Sequence, residues 1–403
     1  MESGSGSLEA LREANRLRVI DALRHEGSAS RTDLVRITGL SRTTITTLVG
    51  DLQERGLVVE QEEHAVERPE RPGRGRPPVL LRLAPSAGAA LGLDFGHRHV
   101  RVAVADLSST VLAERRIDVD VDVAAATALD AAAGLVEEVL REAGVDRAQV
   151  VGAGMGLPGP IDRRTGTVGS SVILPGWAGV HAAEELARRI DFHVEVDNDA
   201  NLGALAEFSL GAGRGMQDMV YVKVSSGIGA GLVLGGRLHH GATGIAGEIG
   251  HVQVRADGAV CRCGNRGCLE TVASGPALLN VLRPVHDESL TLAGMLELAA
   301  AGDLGTQRVI NDAGRAIGQA LGDLCNSLNP SMIVVGGDVS AAGAPLLDGI
   351  RETVDRYAQP GAAQAVTVTR GVLGERAEVL GALTLVIADT ERLRSVGLAA
   401  LVS

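Results

Sequence analysis

One histidine and three cysteines lie close together in the sequence and have side chains that bind zinc. His251 is followed by Cys261, Cys263 and Cys268, and Glu270 comes two residues after the last cysteine. One imidazole and three thiolates supply the number and softness of ligands that a closed, tetrahedral structural zinc site requires. The alternative is a set of reduced thiols without a metal. We predict a structural zinc ion that fixes the loop carrying His251 and Glu270 and has no open position for catalysis.

The zinc motif is part of a wider set of glycine-rich motifs. It is preceded by Gly244-Ile-Ala-Gly-Glu-Ile-Gly-His251 and has the form Cys-x-Cys-Gly-x-x-Gly-Cys-x-Glu. Further motifs occur at Leu91–Asp94, Gly156–Asp162, Val196–Asn201, Gly227–Gly229 and Val334–Gly337. From about residue 85 onwards the chain resembles the ROK family (repressors, open reading frames, kinases). The resemblance implies an α/β, two-lobed hexokinase/actin-like (ribonuclease H-like) fold with a sugar bound in the cleft.

The resemblance also implies which residues contact the sugar. Carried over position by position, the family's sugar contacts are Asn198, Asp199, Glu248, His251 and Glu270. A sugar ring needs fixed polar groups that converge on a cleft, and His251 can bind zinc through one ring nitrogen and a sugar hydroxyl through the other. Asp199 corresponds to the general base of the kinases. The alternative interpretation of Asp199 is the N-cap of the following helix.

The nucleotide side departs from the kinase pattern. ROK kinases carry Asp-x-Gly-Gly-Thr at the first phosphate turn, whereas this chain has Asp94-Phe-Gly96-His97-Arg98-His99. His97 replaces a glycine that lets the backbone approach phosphate, and Arg98 replaces the threonine. In the second turn, Ser225-Ser226-Gly227 stands in place of Gly-Thr-Gly. Because phosphoryl transfer depends on close positioning, we expect no productive ATP binding and therefore no enzyme.

Residues 8–63 have the pattern of a helix-turn-helix unit. Apolar residues repeat along one face of a first helix, and Ser30 and Ser41 are placed to cap two further helices. The alternative is an ordinary three-helix bundle with a polar surface. In a helix-turn-helix the third helix lies in the major groove of DNA. The candidate contacts at its N-terminal half are Ser41, Arg42, Thr43, Thr44 and Thr46.

A basic segment follows, between two predicted wing strands, Leu57–Glu60 and Val79–Leu83. Its centre is Pro72-Gly-Arg-Gly-Arg-Pro-Pro78, in which Arg74 and Arg76 are flanked by glycine and proline. Extended arginines of this kind can lie in a narrow minor groove, whose negative potential attracts guanidinium groups. A plain linker is the alternative for the segment alone. The order helix-turn-helix and then wing favours binding of double-stranded DNA.

The composition is consistent with such a protein. The chain has 403 residues, 45% hydrophobic and 1% aromatic, with a net charge of −12. This length suits two or three domains, and so few aromatic residues exclude binding of single-stranded nucleic acid through base stacking. An acidic protein binds DNA through a segregated basic patch, which the wing arginines provide. No apolar run reaches the ~20 residues of a membrane span and no signal peptide is recognisable, so we expect a cytosolic protein without a membrane partner.

After residue 84 the pattern changes to alternating strands and helices. Two apolar hairpins, at 89–106 and 219–234, indicate two α/β units of similar plan with a cleft between them. We therefore predict a winged helix-turn-helix with its basic wing (1–83), a first ROK lobe (84–200, completed by a C-terminal helix at 375–403) and a second lobe with the zinc site (201–374).

Together these predictions describe a sugar-responsive transcriptional regulator, a repressor, that binds double-stranded operator DNA. The sugar or sugar derivative would bind the ROK domain without being phosphorylated, and a homodimer, or a dimer of dimers, would read two DNA half-sites. Two alternatives stay open. One is an ATP-dependent sugar kinase with an added DNA-binding domain, which Asp199 allows. The other is a regulator that responds to a protein partner.

Overall fold

The N-terminal elements form the predicted winged helix-turn-helix. The computed structural model describes residues 5–60, 79–84, 87–162, 165–168 and 173–389. The elements of this unit are α1 (Ser5–Glu26), β1 (Ala29–Ser30), α2 (Arg31–Thr38), α3 (Arg42–Glu54), β2 (Val58–Glu60) and β3 (Leu80–Leu83). Strand β3 pairs antiparallel with both β1 and β2. The predicted minor-groove contacts Arg74 and Arg76 lie outside the described residues.

Two serine caps define the turn between α2 and α3. Ser30 Oγ accepts a hydrogen bond from the backbone N–H of Asp33, whose carboxylate accepts one from the N–H of Ser30. Ser41 Oγ accepts a hydrogen bond from the N–H of Thr44. Between the helices, Gly39 turns the chain with a φ of +70°. The residues of α3 that pack into the core of this unit are Ile45, Leu48, Val49 and Leu52.

The first lobe is built on a five-stranded sheet. Its elements are β4 (Ala89–Gly96), β5 (His99–Asp106), β6 (Val111–Asp118), α4 (Ala125–Ala143), β7 (Val150–Leu157), β8 (Ile161–Asp162), β9 (Thr167–Val168), α5 (Ala182–Ile190) and β10 (Val194–Asn198). The strand order is β10-β7-β4-β5-β6. The hairpin strands β4, β5 and β6 are antiparallel, whereas β7 and β10 continue the sheet parallel to β4.

The second lobe repeats this plan. Its elements are α6 (Asp199–Leu210), β11 (Met219–Val224), β12 (Ile228–Leu234), β13 (Arg237–Leu238), α7 (Glu270–Ala273), α8 (Gly275–Leu282), α9 (Leu292–Ala300), α10 (Leu304–Leu328), β14 (Met332–Gly336), α11 (Ala344–Tyr357), α12 (Pro360–Ala365) and β15 (Thr367–Arg370). The last helix, α13 (Ala377–Ala388), returns to the sheet of the first lobe. The order β13-β12-β11-β14-β15 has the same antiparallel hairpin extended by two parallel strands. Within the described ranges, no helix is long and apolar enough to cross a membrane.

Helices α6 and α13 pack against each other between the two sheets. Helix α13 lies on β4 and β7 of the first lobe, and α6 lies on β11 and β12 of the second. Glycines allow α13 to approach both neighbours closely. A Cβ on Gly154 of β7 would lie 2.0 Å from the carbonyl oxygen of Ala382 in α13, and a Cβ on Gly381 of α13 would lie 2.0 Å from that of Leu202 in α6. Helix α6 spans the predicted lobe boundary at residue 200, and the division at that residue stays a prediction.

The glycine contacts predict opposite effects for two alanine substitutions. Gly154→Ala is expected to lower the free energy of unfolding by about 1–3 kcal/mol, because its Cβ would overlap the backbone of α13. Gly134, inside α4, has no atom within 4 Å of a built Cβ, so Gly134→Ala should raise that free energy by about 0.5–1 kcal/mol. Urea denaturation measures both. A Gly154→Ala protein as stable as Gly134→Ala would contradict the tight packing of α13.

Candidate functional site

A cavity opens between the lobes, beyond the carboxyl ends of strands from both sheets. The five residues that were expected to bind sugar all line it, although they come from three separate segments of the chain. Convergent polar groups in a cleft are the usual composition of a small-molecule site. The residues lining the cavity are His97, Pro158, Gly159, Ile173, Asn198, Asp199, Lys223, Ser225, Ser226, Gly227, Ile228, Gly229, Glu248, His251, Arg262 and Glu270.

Asn198 and Asp199 stand at the junction of β10 and α6. Asn198, rather than Asp199, is the N-cap of α6, and its Oδ1 accepts hydrogen bonds from the N–H groups of Ala200 and Asn201. Its Nδ2 donates to the carbonyl oxygen of Gly159 at 2.9 Å, which leaves the side chain fully fixed. The alternative interpretation of Asp199 as the helix cap is therefore wrong. Asp199 is the first residue of the helix, and its carboxylate borders the cavity.

The carboxylate of Asp199 is paired with Lys223, which the sequence analysis did not single out. The Nζ atom of Lys223, on β11, lies 2.9 Å from Asp199 Oδ2 and 3.0 Å from Glu378 Oε1. Burial alone would lower the pKa of Lys223, but the neighbouring carboxylates, first Asp199 and then Glu378, raise it well above its usual value. The lysine is therefore charged. It holds the carboxylate that a kinase would need as a free base.

The acidic residues on the opposite wall are held in different ways. Glu270 Oε1 accepts a hydrogen bond from Arg262 Nε at 3.0 Å, so the zinc-motif loop contributes a guanidinium group to the cavity. Glu248 Oε2 is 3.7 Å from His251 Nε2. Burial, together with the charges of Asp199 and Glu270, raises the pKa of Glu248 to about 7. This wall therefore offers both acceptors and donors to the hydroxyls of a polar ligand.

His251 and the three cysteines come together as a compact group of possible metal ligands. Their ligand atoms all lie within 4.8 Å of one another. His251 Nδ1 is 3.6 Å from Cys261 Sγ, and Cys263 Sγ is 3.7 Å from Cys268 Sγ. A tetrahedral zinc ion with bonds of about 2.3 Å to sulfur requires ligand atoms about 3.8 Å apart, so the group fits a metal. Nδ1 of His251 faces the thiols, and its Nε2 is on the side of Glu248, which also lines the cavity.

The first phosphate turn is closed by a histidine other than the one expected. His99 Nε2 lies 3.0 Å from Asp94 Oδ2, and the imidazole covers Gly96, where a Cβ would be 2.2 Å from the ring. His97, which was expected to crowd the turn, points to Asp122 at 2.7 Å and lines the cavity. The hairpin register could have identified this contact, because Gly96 and His99 are directly paired across β4 and β5.

The second phosphate turn is also occupied by contacts within the chain. Ser225 Oγ donates a hydrogen bond to the carboxylate of Asp338, which follows the Gly336-Gly337 turn after β14. The hydroxyl and the carboxylate thus satisfy each other in the turn that was expected to correspond to the second phosphate turn of the kinases. A carboxylate here also repels a triphosphate.

The candidate DNA contacts lie at the start of α3. Ser41, Arg42, Thr43 and Thr46 are exposed and Thr44 is partly buried. The hydroxyls of Ser41 and Thr44 are 2.8 Å apart, and both take part in capping the helix. Of the predicted contacts, Arg42, Thr43 and Thr46 are exposed and are not involved in this cap, although the hydroxyl of Thr46 donates a hydrogen bond to the carbonyl oxygen of Arg42.

A surface depression between the starts of α2 and α3 adds two side chains to this face. Arg31 and Thr32 line it together with Val35, Arg42 and Thr46. Arg31 Nη2 donates a hydrogen bond to Gln53 Oε1 at 3.2 Å, which orients the guanidinium group beside α3. Arg31 was not among the predicted contacts, because it stands at the beginning of the second helix and has no unusual neighbours in the sequence.

Comparisons with known proteins agree with both parts of the chain. The model of the ROK family matches residues 90–389, and that of the MarR family matches residues 13–68. The chain is 28% identical over 399 residues to a xylose repressor of Caldicellulosiruptor bescii, covering 95% of this chain and 98% of the repressor. It is 32% identical to a glucokinase of Halalkalibacterium halodurans, covering 72% of this chain and 92% of the glucokinase.

A solved structure resembles the whole chain. The crystal structure of a ROK family transcriptional regulator, a homologue of the Escherichia coli protein Mlc, superposes with a TM-score of 0.76 at 27% identity. The superposition covers 97% of this chain and 99% of that regulator, so it includes the winged helix as well as both lobes. With its domain model matched over residues 90–389 and this architecture, the chain belongs to the ROK family.

Proposed function

We propose that the protein is a transcriptional repressor whose cleft binds a sugar effector without phosphorylating it. The observation that carries the proposal is the contrast between the two halves of the cleft. The half with Asn198, Glu248 and Glu270 is an open cavity with polar walls. In the other half, His99 covers Gly96. The similarity to a xylose repressor along nearly the whole chain supports this function.

The same geometry argues against the kinase alternative. A kinase base must accept the proton of the attacking hydroxyl, whereas the Asp199 carboxylate is engaged by the ammonium group of Lys223 at 2.9 Å. Phosphoryl transfer also requires close backbone contact with the phosphates, and the imidazole of His99 covers Gly96 in the turn that was expected to make this contact. A glucokinase is among the relatives of this chain, and Asp199 stands at the position of the kinase general base. The kinase alternative is therefore tested by experiment.

Two assays on the purified protein separate the possible functions. Thermal unfolding is measured with D-xylose, D-glucose and N-acetyl-D-glucosamine, because a ligand that binds only the folded state must raise the melting temperature. ATP turnover with the same sugars is measured in parallel. We expect a shift with one of the sugars and no turnover. Turnover would assign a kinase, and the absence of any shift across a full sugar panel would favour a regulator that responds to a protein partner.

Glu248→Gln should remove most of the sugar-induced shift. The substitution keeps the size of the side chain but replaces a carboxylate acceptor that is largely enclosed by the cavity. Loss of one hydrogen bond of a buried polar group costs about 1–3 kcal/mol, which is about a 5- to 150-fold loss of affinity. Isothermal titration calorimetry measures it. The matched control is Glu288→Gln, at an exposed position outside the cavity, which must bind sugar as the wild type does.

For the metal site we propose a structural zinc ion held by His251, Cys261, Cys263 and Cys268. The soft thiolates and the close grouping of the four ligand atoms support this choice of metal. With four protein ligands the ion has no open position and supplies only a fixed crosslink to the loop. The loop in turn positions Arg262 and the following Glu270 at the cavity.

For DNA we propose that α3 enters the major groove of an operator, with a homodimer reading two half-sites. Arg42→Ala is expected to weaken binding to a duplex selected from a random library by about 1–3 kcal/mol, because Arg42 is the exposed cation at the start of α3. Arg18→Ala, which removes the same charge from an exposed position on α1, is the control. Fluorescence anisotropy at two salt concentrations measures both. Equal losses for the two variants would contradict this placement of α3.

A further inference from the structure

Lys223 joins three segments at the base of the cavity. It is the only lysine of the chain, and its ammonium group contacts Asp199 at the start of α6 and Glu378 at the start of α13. Lys223 belongs to the sheet of the second lobe, whereas α13 lies on the sheet of the first. The side chain of Glu378 is 7% exposed and does not line the cavity. The lysine therefore links a cavity residue to a helix that the ligand does not touch.

Helix α13 is packed so closely that its ends must move together. Its backbone contacts Gly154 of β7 on one side, and its Gly381 contacts the backbone of α6 on the other. Twelve residues of helix extend over about 18 Å. Closely packed interfaces have discrete arrangements and do not deform continuously, so a displacement of the first turn is carried to the last.

The last turn of α13 is part of the core of the DNA-binding unit. Val386 and Ile387 belong to the same apolar cluster as Ile20 and Leu23 of α1. Arg24 of α1 also donates a hydrogen bond from Nη1 to the carbonyl oxygen of Ile387. Burial lowers the pKa of this arginine, in agreement with its enclosed position. One helix thus reaches from Glu378 beside the cavity to the winged helix-turn-helix.

We infer that the Lys223–Glu378 ion pair couples occupancy of the cavity to the DNA-binding unit through α13. This inference rests on the proposed function, since it concerns the regulation of the same site. A sugar hydroxyl that donates to Asp199 competes with Lys223 for the carboxylate, and the lysine then interacts more strongly with Glu378. The position of the first turn of α13 therefore depends on whether the cavity is occupied. Coupling of this kind is reciprocal, so DNA must change the affinity for sugar by the same factor.

The test is the ratio of the operator dissociation constants with and without saturating sugar. The DNA is the duplex selected from the random library, and the sugar is whichever of D-xylose, D-glucose and N-acetyl-D-glucosamine raises the melting temperature. For the wild type we expect a ratio about 5- to 150-fold away from one. For Glu378→Gln we expect a ratio within about threefold of one.

Two further variants make the result decisive. Glu375→Gln removes the same charge three residues earlier, at a side chain that is 76% exposed and pairs with Arg101, and it must keep the wild-type ratio. Arg24→Met interrupts the other end of α13 and should also bring the ratio close to one, even if Glu378→Gln does not fold. A wild-type ratio of one would overturn the proposed function and this inference together. If Glu378→Gln or Arg24→Met keeps the ratio of the wild type, this inference is overturned and the proposed function is not affected.

Discussion

Removal of the metal proposed for His251 and the three cysteines is expected to weaken sugar binding about 100-fold while DNA binding persists. Without the crosslink, His251 loses the partner that directs Nδ1 away from the cavity, and the loop no longer fixes Glu270. The loss of two hydrogen bonds of about 1–1.5 kcal/mol each corresponds to about a 100-fold loss of affinity. The apolar core of the winged helix-turn-helix is shared with α13 and the first lobe and contains no residue of the metal loop, so its fold does not depend on the metal.

The measurement combines metal content with calorimetry. Native protein should contain one zinc per chain by mass spectrometry, and Cys268→Ser should contain none and bind sugar about 100-fold more weakly. Cys325→Ala is the matched control, because Cys325 is a buried thiol of α10 outside the ligand group. It should keep both the zinc and the sugar affinity. A metal-free protein with the sugar affinity of the wild type would show that the loop holds its shape without the ion.

Features that depend on neighbours in the sequence could be predicted, and the winged helix-turn-helix is the clearest example. Its helix starts follow from Ser30 and Ser41, whose hydrogen bonds reach only three residues along the chain. The hairpins of the two sheets are equally local, because adjacent strands pair through short turns. The cysteine cluster is close in sequence as well. In each case the residues that determine the local structure lie within that same short stretch of the sequence.

Features that depend on partners far along the chain were missed. Lys223 and Glu378 are separated by more than 150 residues and meet only because β11 and α13 face each other between the sheets. Lys223 is the only lysine in an arginine-rich chain, but this does not indicate which residue it pairs with. Asp338, which pairs with Ser225, stands more than 110 residues away from it. Helices α8, α9 and α11 were also not predicted, and they are positioned by packing in the second lobe.

Lys223→Met is expected to lower the free energy of unfolding by about 3–5 kcal/mol, because it leaves two nearly buried carboxylates facing each other without a cation. Methionine fills a similar volume, so the loss reports charge and not a cavity. Urea denaturation measures it, and a loss below about 1 kcal/mol would mean that water screens Asp199 and Glu378.

The triple variant Asp199→Asn/Lys223→Met/Glu378→Gln separates stability from function. Neutral groups in place of a complete buried ion network often cost little, so this protein should regain most of the stability that Lys223→Met loses. If it does, the ion pairs are not required for the fold, although two of their members, Asp199 and Lys223, line the cavity. Their presence is then explained by coupling between the cavity and α13, because a neutral network would respond only weakly to a ligand that competes for the carboxylate of Asp199. A triple variant as unstable as the single one would instead show that the charges serve the packing of α13.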